Sequence, residues 1–169
     1  MRIGLLGLSG QDTKENLIVL EDYWNGSDAV YHAENKANKV FFCCDPDRSD
    51  EANKKKDTPD PRCDYLLVGK TDTSVRFIEL KGVDKRESSK KCCSNTWEHG
   101  FHQLITTYHA YSICYESHDC FKMILCTSIS REMSKGRIKN YKKYGYYKEI
   151  QNILKTPPKV LYRDDIDTV

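Results

Sequence analysis

The sequence predicts a single α/β domain, and three stretches of its hydropathy pattern carry that prediction. The first is an apolar hairpin formed by residues 64–69 and 75–82. The second is a run of apolar residues at helical spacing over 95–114, and the third is the apolar stretch 121–128 behind it. A hairpin, a helix and a strand in this order are typical of a sheet with both antiparallel and parallel neighbours.

Length and composition favour one folded domain in the cytoplasm. The chain has 169 residues, 38% of them hydrophobic, and its 27 Lys and Arg nearly balance its 25 Asp and Glu, unlike a disordered protein. The apolar run 3–8 is too short for a signal peptide or a membrane span. With no export signal and no CxxC pair, we expect the eight cysteines to be reduced thiols rather than disulfides or a zinc site.

The segments before the hairpin are less uniform. Residues 16–20 are apolar and fit either a strand or a helix. A short helix is predicted over 28–36, capped at its start by a serine or an aspartate, and a buried strand over 39–44. Residues 45–62 hold three prolines and many charges, which predicts a long exposed loop.

Behind the hairpin the pattern changes to helical spacing. Apolar residues recur every three or four positions, which predicts a helix with one buried face. They are Trp97, Phe101, Leu104, Ile105, Tyr108 and Tyr111. The strand 121–128 follows, and a last short strand, 159–163, comes after Pro157 and Pro158, which end the preceding segment.

Basic charge is concentrated in one late segment. Residues 131–159 carry nine basic and two acidic groups together with four tyrosines, and most of the segment is predicted to be helical. Cations mixed with stacking rings suit a nucleic-acid surface, with Arg137, Lys139, Lys142 and Lys143 as the contacts to phosphate. A solvated helix face explains the same charges, and both interpretations stay open.

The hairpin collects charged residues at one end. If its turn is centred between Thr71 and Asp72, Asp64 lies opposite Glu79, and Lys81 projects from the same face two residues later. Two opposed carboxylates repel one another, whereas a divalent cation between them turns that repulsion into binding. Oxygen ligands favour Mg²⁺ or Mn²⁺, and hydrolysis of a phosphodiester bond is the matching reaction.

The plain alternative is a surface ion pair in which Glu79 meets Lys81 or Arg76. Such a pair contributes little to stability. The apolar neighbours of Glu79 and Lys81 in the strand make it a poor explanation, because charges without partners are costly to bury. The pattern therefore favours a functional site.

These residues resemble a known motif. Asp64, fourteen further residues, and then Glu79-Leu80-Lys81 at the end of a strand are similar to the motif of the PD-(D/E)XK nuclease superfamily. The resemblance implies a restriction-endonuclease-like core of a helix, three strands, a helix and a strand. It covers about residues 28–128 and leaves 131–169 as a basic C-terminal extension.

The resemblance also implies roles for individual residues. The carboxylates of Asp64 and Glu79 and the backbone carbonyl of Leu80 correspond to the metal ligands. Lys81 corresponds to the catalytic lysine, which orients or deprotonates a water. Glu34 stands where many members carry an acidic residue on the first core helix, and Gln103 matches a glutamine on the helix after the motif.

Three other residues near the motif carry side chains that could bind a metal: Asp60, His99 and His102. The literal Pro-Asp dipeptide ends in Asp60, four residues before the strand, so its carboxylate is expected to project beyond the sheet. His99 and His102 lie three apart on the predicted helix and lack a suitably spaced third metal ligand. They are either surface histidines or a pair beside the site that contacts phosphate.

The resulting hypothesis is a metal-dependent endonuclease that prefers DNA and uses Mg²⁺ or Mn²⁺ at Asp64, Glu79 and Lys81. By analogy with the family we expect a homodimer, since a domain this small commonly needs a second copy to embrace a duplex. Two alternatives stay open. One is a non-catalytic module on the same fold that binds nucleic acid or protein, and the other is a nuclease that cuts RNA.

Overall fold

The large sheet is built around the predicted hairpin. The structure is a computed structural model that describes residues 8, 10–21, 28–82, 90–115, 120–132, 134 and 141–169. Its strands are β1 (Gly10–Thr13), β2 (Leu17–Glu21), β3 (Val30–Glu34), β4 (Phe41–Cys44), β5 (Tyr65–Gly69), β6 (Ser74–Lys81), β7 (Cys120–Thr127), β8 (Lys159–Leu161) and β9 (Asp167–Thr168). Its helices are α1 (Pro46–Ser49), α2 (Glu51–Lys54), α3 (Lys90–Tyr111) and α4 (Gly145–Leu154), and 3₁₀ turns cover Ser112–Tyr115 and Tyr141–Lys143.

The large sheet mixes antiparallel and parallel neighbours. Its six strands lie in the order β1-β4-β5-β6-β7-β8. Neighbours are antiparallel from β1 to β6, whereas β7 runs parallel to β6 and β8 parallel to β7. Helix α3 makes the crossover from β6 to β7 that a parallel pair requires. The predicted mixed α/β class is confirmed.

The register of the hairpin is the one that the sequence predicts. Tyr65 lies opposite Ile78, and Val68 lies opposite Val75. One position further, at the end of the paired segment, the same register sets Asp64 opposite Glu79. The charged residues of the motif therefore meet at the end of the hairpin that lies away from its turn.

Each face of the large sheet is covered by a different layer. On one face, side chains of α3 and α4 such as Trp97 and Ile150 pack against Phe77 and its neighbours. On the other face, the small sheet β2-β3-β9 packs against Ile78 and Leu80. Because side chains alternate along a strand, Glu79 and Lys81 of β6 share the helix side with Phe77.

Within residues 28–36, where a helix was predicted, Val30–Glu34 form strand β3. The side chains of Tyr31 and Ala33 are fully buried against the large sheet, whereas Val30, His32 and Glu34 are only partly buried. Burial of every second residue is the pattern of a strand with one covered face. The prediction of a first core helix was wrong.

Residues 45–62 contain two short helices in place of a featureless loop. The Asp45 carboxylate accepts a hydrogen bond from the N–H of Arg48 at 2.9 Å, and Asp50 accepts one from Asn53 at 2.9 Å, so each aspartate caps one helix. Asp50 also contacts the buried Arg62 at 3.3 Å, and its carboxylate accepts a hydrogen bond from the Tyr111 hydroxyl at the end of α3. The segment is thereby tied to the domain.

The remaining elements agree with the sequence in part. Residues 16–20, which fitted either structure, form most of strand β2, and β8 confirms the predicted last strand. The basic segment holds the 3₁₀ turn 141–143 and α4, while residues 133 and 135–140 lie outside the described part of the chain. Among the residues that are described, no helix combines the length and apolar character needed to cross a membrane.

Candidate active site

Asp64 and Glu79 are in contact at the end of the hairpin. The backbone N–H of Asp64 donates a hydrogen bond to Oε2 of Glu79 at 3.2 Å. The Asp64 carboxylate accepts a hydrogen bond from the N–H of Leu80 at 2.7 Å. Asp64 is half-buried and Glu79 is fully buried, so the sheet end holds two carboxylates at different depths.

Lys81 completes the group and pairs with Glu79. Its Nζ forms an ion pair with Oε1 of Glu79, and 17% of its side chain is exposed. The side chain of Lys81 crosses α3 at Gly100. A Cβ added at Gly100 would lie 3.2 Å from Lys81 Cγ and 2.6 Å from Leu125 Cδ1. A glycine at this point lets the helix approach the end of β6 closely.

The electrostatic balance of this group is negative. Burial and, next, the neighbouring Asp64 carboxylate raise the pKa of Glu79 well above its ordinary value, while Lys81 opposes the shift. Two carboxylates share one ammonium, and one of the carboxylates has no access to water. The site therefore lacks positive charge when both acids are ionised.

The backbone of Leu80 faces the same acids. The carbonyl of Lys81 accepts a hydrogen bond from Ser128, which follows β7, at 3.4 Å. Successive carbonyls of a strand point to opposite sides, so the carbonyl of Leu80 points toward β5 and the start of the hairpin. Its N–H, which is bound to Asp64, lies on that side as well.

Gln103 and Thr107 of α3 hold the backbone that leads into Asp64. The carboxamide Nε2 of Gln103 donates to the carbonyl of Arg62 at 2.8 Å. The N–H of Cys63 donates to the Thr107 hydroxyl at 2.7 Å, and that hydroxyl donates to the carbonyl of Gln103 at 2.7 Å. Sequence reasoning missed Thr107, although its position four residues after Gln103 places it on the same face of the helix.

Glu34 is not brought to this group. It lies on β3, and its side chain points away from the large sheet, since the adjacent Ala33 is the residue that packs inward. Its carboxylate pairs with Lys36 at 2.9 Å and is 42% exposed. The predicted helix that would have carried Glu34 toward the metal ligands does not form.

No protein-family model matches the chain, and neither curated proteins nor solved structures gave a match. Its function is therefore inferred from the residues of the site.

The other acidic candidate, Asp60, is engaged elsewhere. Its carboxylate pairs with Lys56, and its backbone N–H donates to the side chain of Asn53 at 3.0 Å. The segment before β5 thus fastens Asp60 to the short helices. This placement agrees with the choice of Asp64 as the acid of the motif.

The basic segment is divided between surface and core. Lys142 and Lys143 are exposed on the 3₁₀ turn, whereas Arg137 and Lys139 lie outside the described residues. Tyr141 packs on Trp97 with ring centroids 5.2 Å apart. Tyr144 and Tyr147 contact Phe101 in the same way. These three tyrosines form part of the helix packing, so their rings lie against the core rather than on a nucleic-acid surface.

The donor set at the hairpin end fits a hard divalent cation. Asp64 and Glu79 offer carboxylate oxygens and Leu80 a carbonyl oxygen, which are the ligands that Mg²⁺ and Mn²⁺ prefer. In addition, Oε1 of Gln103 is buried and has no hydrogen-bonding partner in the described part of the chain, so it is free to accept a hydrogen bond from a bound water or ligand. Among the described residues, no three His, Cys, Asp or Glu side chains form a metal-binding cluster. A cation held here would take the rest of its ligands from the carbonyl and from solvent.

Proposed function

We propose that this protein is a metal-dependent endonuclease that hydrolyses phosphodiester bonds, with DNA as the preferred substrate. The observation that carries the proposal is the contact between Asp64 and the buried Glu79, with Lys81 paired to Glu79 at the same sheet end. Opposed carboxylates at this depth are an expensive arrangement for stability alone. They become favourable when a divalent cation binds between them.

Asp64, Glu79 and the carbonyl of Leu80 are the residues that would hold Mg²⁺ or Mn²⁺. When bound, such a cation would lower the pKa of a water that it coordinates and would stabilise negative charge on the phosphate oxygens. Glu79 holds Lys81 in place through their ion pair. The partly exposed ammonium of Lys81 is then placed to orient a water or to contact a phosphate oxygen.

The topology supports a restriction-endonuclease-like core as part of the same proposal. Strands β4, β5 and β6, helix α3 and strand β7 follow one another as three antiparallel strands, a helix and a parallel strand. The first helix implied by the resemblance is replaced here by the small sheet. The motif residues nevertheless lie at the end of the central hairpin, where that architecture has its site.

The nucleic-acid partner is supported by the exposed Lys142 and Lys143, which lie on the turn before α4. Backbone contacts of this kind do not depend on sequence. The homodimer that the resemblance implies stays a prediction, which sedimentation of the purified protein tests directly.

The decisive experiment is a cleavage assay on duplex, single-stranded and branched DNA and on RNA, with Mg²⁺, Mn²⁺ or EDTA. Wild type is compared with Glu79→Gln and Lys81→Met, which preserve the size of each side chain. Glu51→Gln on α2 is the matched control, because that exposed glutamate pairs with Lys54 and with no other charged residue in the described ranges of the chain. We expect metal-dependent cutting in the wild type and the control, and none in the site variants.

Two results would contradict the proposal. Cutting that survives Glu79→Gln shows that another site is responsible. If the protein binds DNA or RNA in a salt-sensitive way but cuts neither with Mg²⁺ nor with Mn²⁺, it is a non-catalytic binding module. Cutting of RNA alone leaves the site in place and changes the substrate.

A further inference from the structure

A strip of imidazole, phenol and ammonium groups leads away from Lys81 along α3 and α4. We call it the α3–α4 strip, and it consists of His99, His102, Tyr146, Lys142 and Lys143. None of the five is fully buried, and His99, Lys142 and Lys143 are exposed. The carboxylate of Glu98 lies beside the strip, because its Oε1 would be 3.9 Å from a Cβ at Gly145, the neighbour of Tyr146.

The strip begins at the proposed site. Gly100, the neighbour of His99, is the point where the chain of Lys81 crosses α3. Partial burial and then the charges of Lys81 and His102 lower the pKa of His99, which agrees with its place beside that ammonium. His99 therefore borders the end of β6.

The strip continues from α3 to α4 through ring contacts. The rings of His99 and His102 have centroids 6.4 Å apart in an edge arrangement. The ring of His102 stacks on Tyr146 with centroids 4.5 Å apart and an angle of 18° between the planes. The two histidines, one turn apart, are thus joined to the first turn of α4.

The lysines lie on the 3₁₀ turn directly before α4. Tyr141, which begins the 3₁₀ turn, packs between Trp97 and Phe101 at 5.2 and 6.5 Å between ring centroids. Those two residues lie on the buried face of α3, whereas His99 is exposed. The contact of Tyr141 therefore fixes the 3₁₀ turn against α3, and Lys142 and Lys143 precede Tyr146 of the strip by four and three residues.

We propose that the α3–α4 strip binds the phosphodiester backbone of the DNA strand on one side of the bond to be cut. This inference rests on the proposed function, because it takes Lys81 and Glu79 as the place of cleavage. Imidazole and ammonium N–H groups are donors suited to phosphate oxygens. A strip that spans α3, the 3₁₀ turn and α4 offers more donors than a single nucleotide needs.

Binding of labelled DNA in EDTA tests the strip without any cleavage. Fluorescence anisotropy is measured with single-stranded and duplex oligonucleotides for His99→Ala/His102→Ala and for Lys142→Ala/Lys143→Ala. We expect about tenfold weaker binding or more for each double variant, the effect of losing a hydrogen bond to a charged group. In the lysine variant, the slope of the logarithm of the binding constant against the logarithm of the salt concentration also becomes shallower. We expect a change of about 0.7 to 0.9 in this slope for each phosphate group that the variant no longer binds.

His109→Ala is the matched control. His109 lies on the same helix, is 58% exposed and pairs with Glu149 of α4 at 3.7 Å, so it belongs to another part of the surface. We expect it to bind DNA like the wild type. Circular dichroism and thermal melting of all variants establish that they are folded.

The outcomes separate the strip from the proposed function. Wild-type affinity in both double variants overturns the strip, and so does an equal loss in His109→Ala. Cleavage by the wild type together with unaffected strip variants rejects the strip alone. Strip-dependent binding without cleavage under any metal supports the strip as a DNA-binding surface and rejects the nuclease.

Discussion

The hydroxyl of Thr107 accepts a hydrogen bond from the backbone N–H of Cys63, with 2.7 Å between the two atoms. Thr107 is fully buried in α3, and Cys63 directly precedes Asp64. The helix behind the sheet thus fixes the backbone from which the Asp64 carboxylate projects. The position of the acid is set by a residue that carries no charge.

Replacing Thr107 by valine should weaken metal use while leaving the overall fold intact. Thr107→Val keeps the side-chain shape and leaves the Cys63 N–H without an acceptor. We expect the Mg²⁺ concentration for half-maximal cleavage to rise roughly 10- to 100-fold, as when a residue that supports a metal ligand is lost. Thr107→Ser keeps the hydroxyl and should restore most of the wild-type dependence.

Deuterium exchange of residues 62–64 checks the same hydrogen bond without activity. Exchange should be faster in Thr107→Val than in Thr107→Ser. Equal exchange and equal Mg²⁺ dependence in both variants would falsify the positioning role of Thr107.

Gly100→Ala should destabilise the protein, although alanine is ordinarily better than glycine in a helix by about 1 kcal/mol. The added Cβ would lie 2.6 Å from Leu125 Cδ1 and 3.2 Å from Lys81 Cγ, so side chains of the sheet must move. We expect a lower melting temperature and a lower cleavage rate, because Lys81 is displaced from Glu79.

Gly145→Ala provides the comparison for Gly100. A Cβ at Gly145, the first residue of α4, would meet only Glu98 Oε1 at 3.9 Å, which is ordinary contact. Its melting temperature and cleavage rate should equal those of the wild type. A Gly100→Ala variant as stable and active as Gly145→Ala contradicts the close approach of α3 to β6.

Glu34→Gln should leave cleavage unchanged. The carboxylate lies on the outer side of the small sheet and pairs with Lys36, so it makes no contact with Asp64 or Glu79 among the interactions of the structure. Cleavage rates at several Mg²⁺ concentrations provide the measurement. A loss comparable to that of Glu79→Gln would restore Glu34 to the catalytic group.

Asp167→Asn should lower stability at neutral pH and lose its effect in acid. Asp167 accepts a hydrogen bond from the Tyr31 hydroxyl at 2.9 Å and pairs with Lys159. Burial works against ionisation, but Lys159 and the other hydrogen-bond donors outweigh it and lower the pKa of Asp167 below its ordinary 3.8. The ionised aspartate therefore stabilises the fold above that pH, and its contribution disappears as the pH falls through the lowered pKa.

Urea unfolding at a series of pH values measures this contribution. The free energy of unfolding of Asp167→Asn should be about 1.5 to 3 kcal/mol below that of the wild type at pH 7, the cost of losing hydrogen bonds to a charged group. The gap should stay constant above about pH 5 and narrow below about pH 4. A gap that is independent of pH assigns the loss to packing alone.

The hairpin and its register could be predicted because the relevant signals are local. A polar turn between two apolar runs sets which residues face one another, so the opposition of Asp64 and Glu79 follows from the turn alone. The periodic apolar residues of α3 are equally local. The hydrogen bond between Thr107 and Cys63 joins two separate elements, and a threonine in a helix gives no sign of its partner.

Strand β3 could not be recognised in the same way. Asp28 looks like a helix cap, and the short stretch after it fits either period when it is read alone. Its neighbours in the small sheet are β2 and the far-away β9, and burial of Tyr31 and Ala33 against the large sheet decides the conformation. Tertiary packing outweighed the local capping signal.

The tyrosines of the basic segment lie elsewhere than the sequence suggests, for a related reason. Their charged neighbours suggested a single exposed face, whereas Tyr141 and Tyr147 turn toward Phe101 in the helix layer. A segment can present lysines to solvent and rings to the core at once. When glycines interrupt a predicted helix, the spacing of its residues no longer shows which of them are buried and which are exposed.

The pairing of β3 with β9 has a consequence for the order in which the chain assembles. Tyr31 and Asp167, which meet in this layer, are 136 positions apart in the sequence. Hairpin and helix contacts are local and form early, whereas such distant pairing carries the largest cost of loop closure. During synthesis the apolar back of β6, with Ile78 and Leu80, stays uncovered by a complete small sheet until residue 168 has left the ribosome. The strand that carries the proposed catalytic residues is thus among those that need protection from aggregation until the last residues of the small sheet are made.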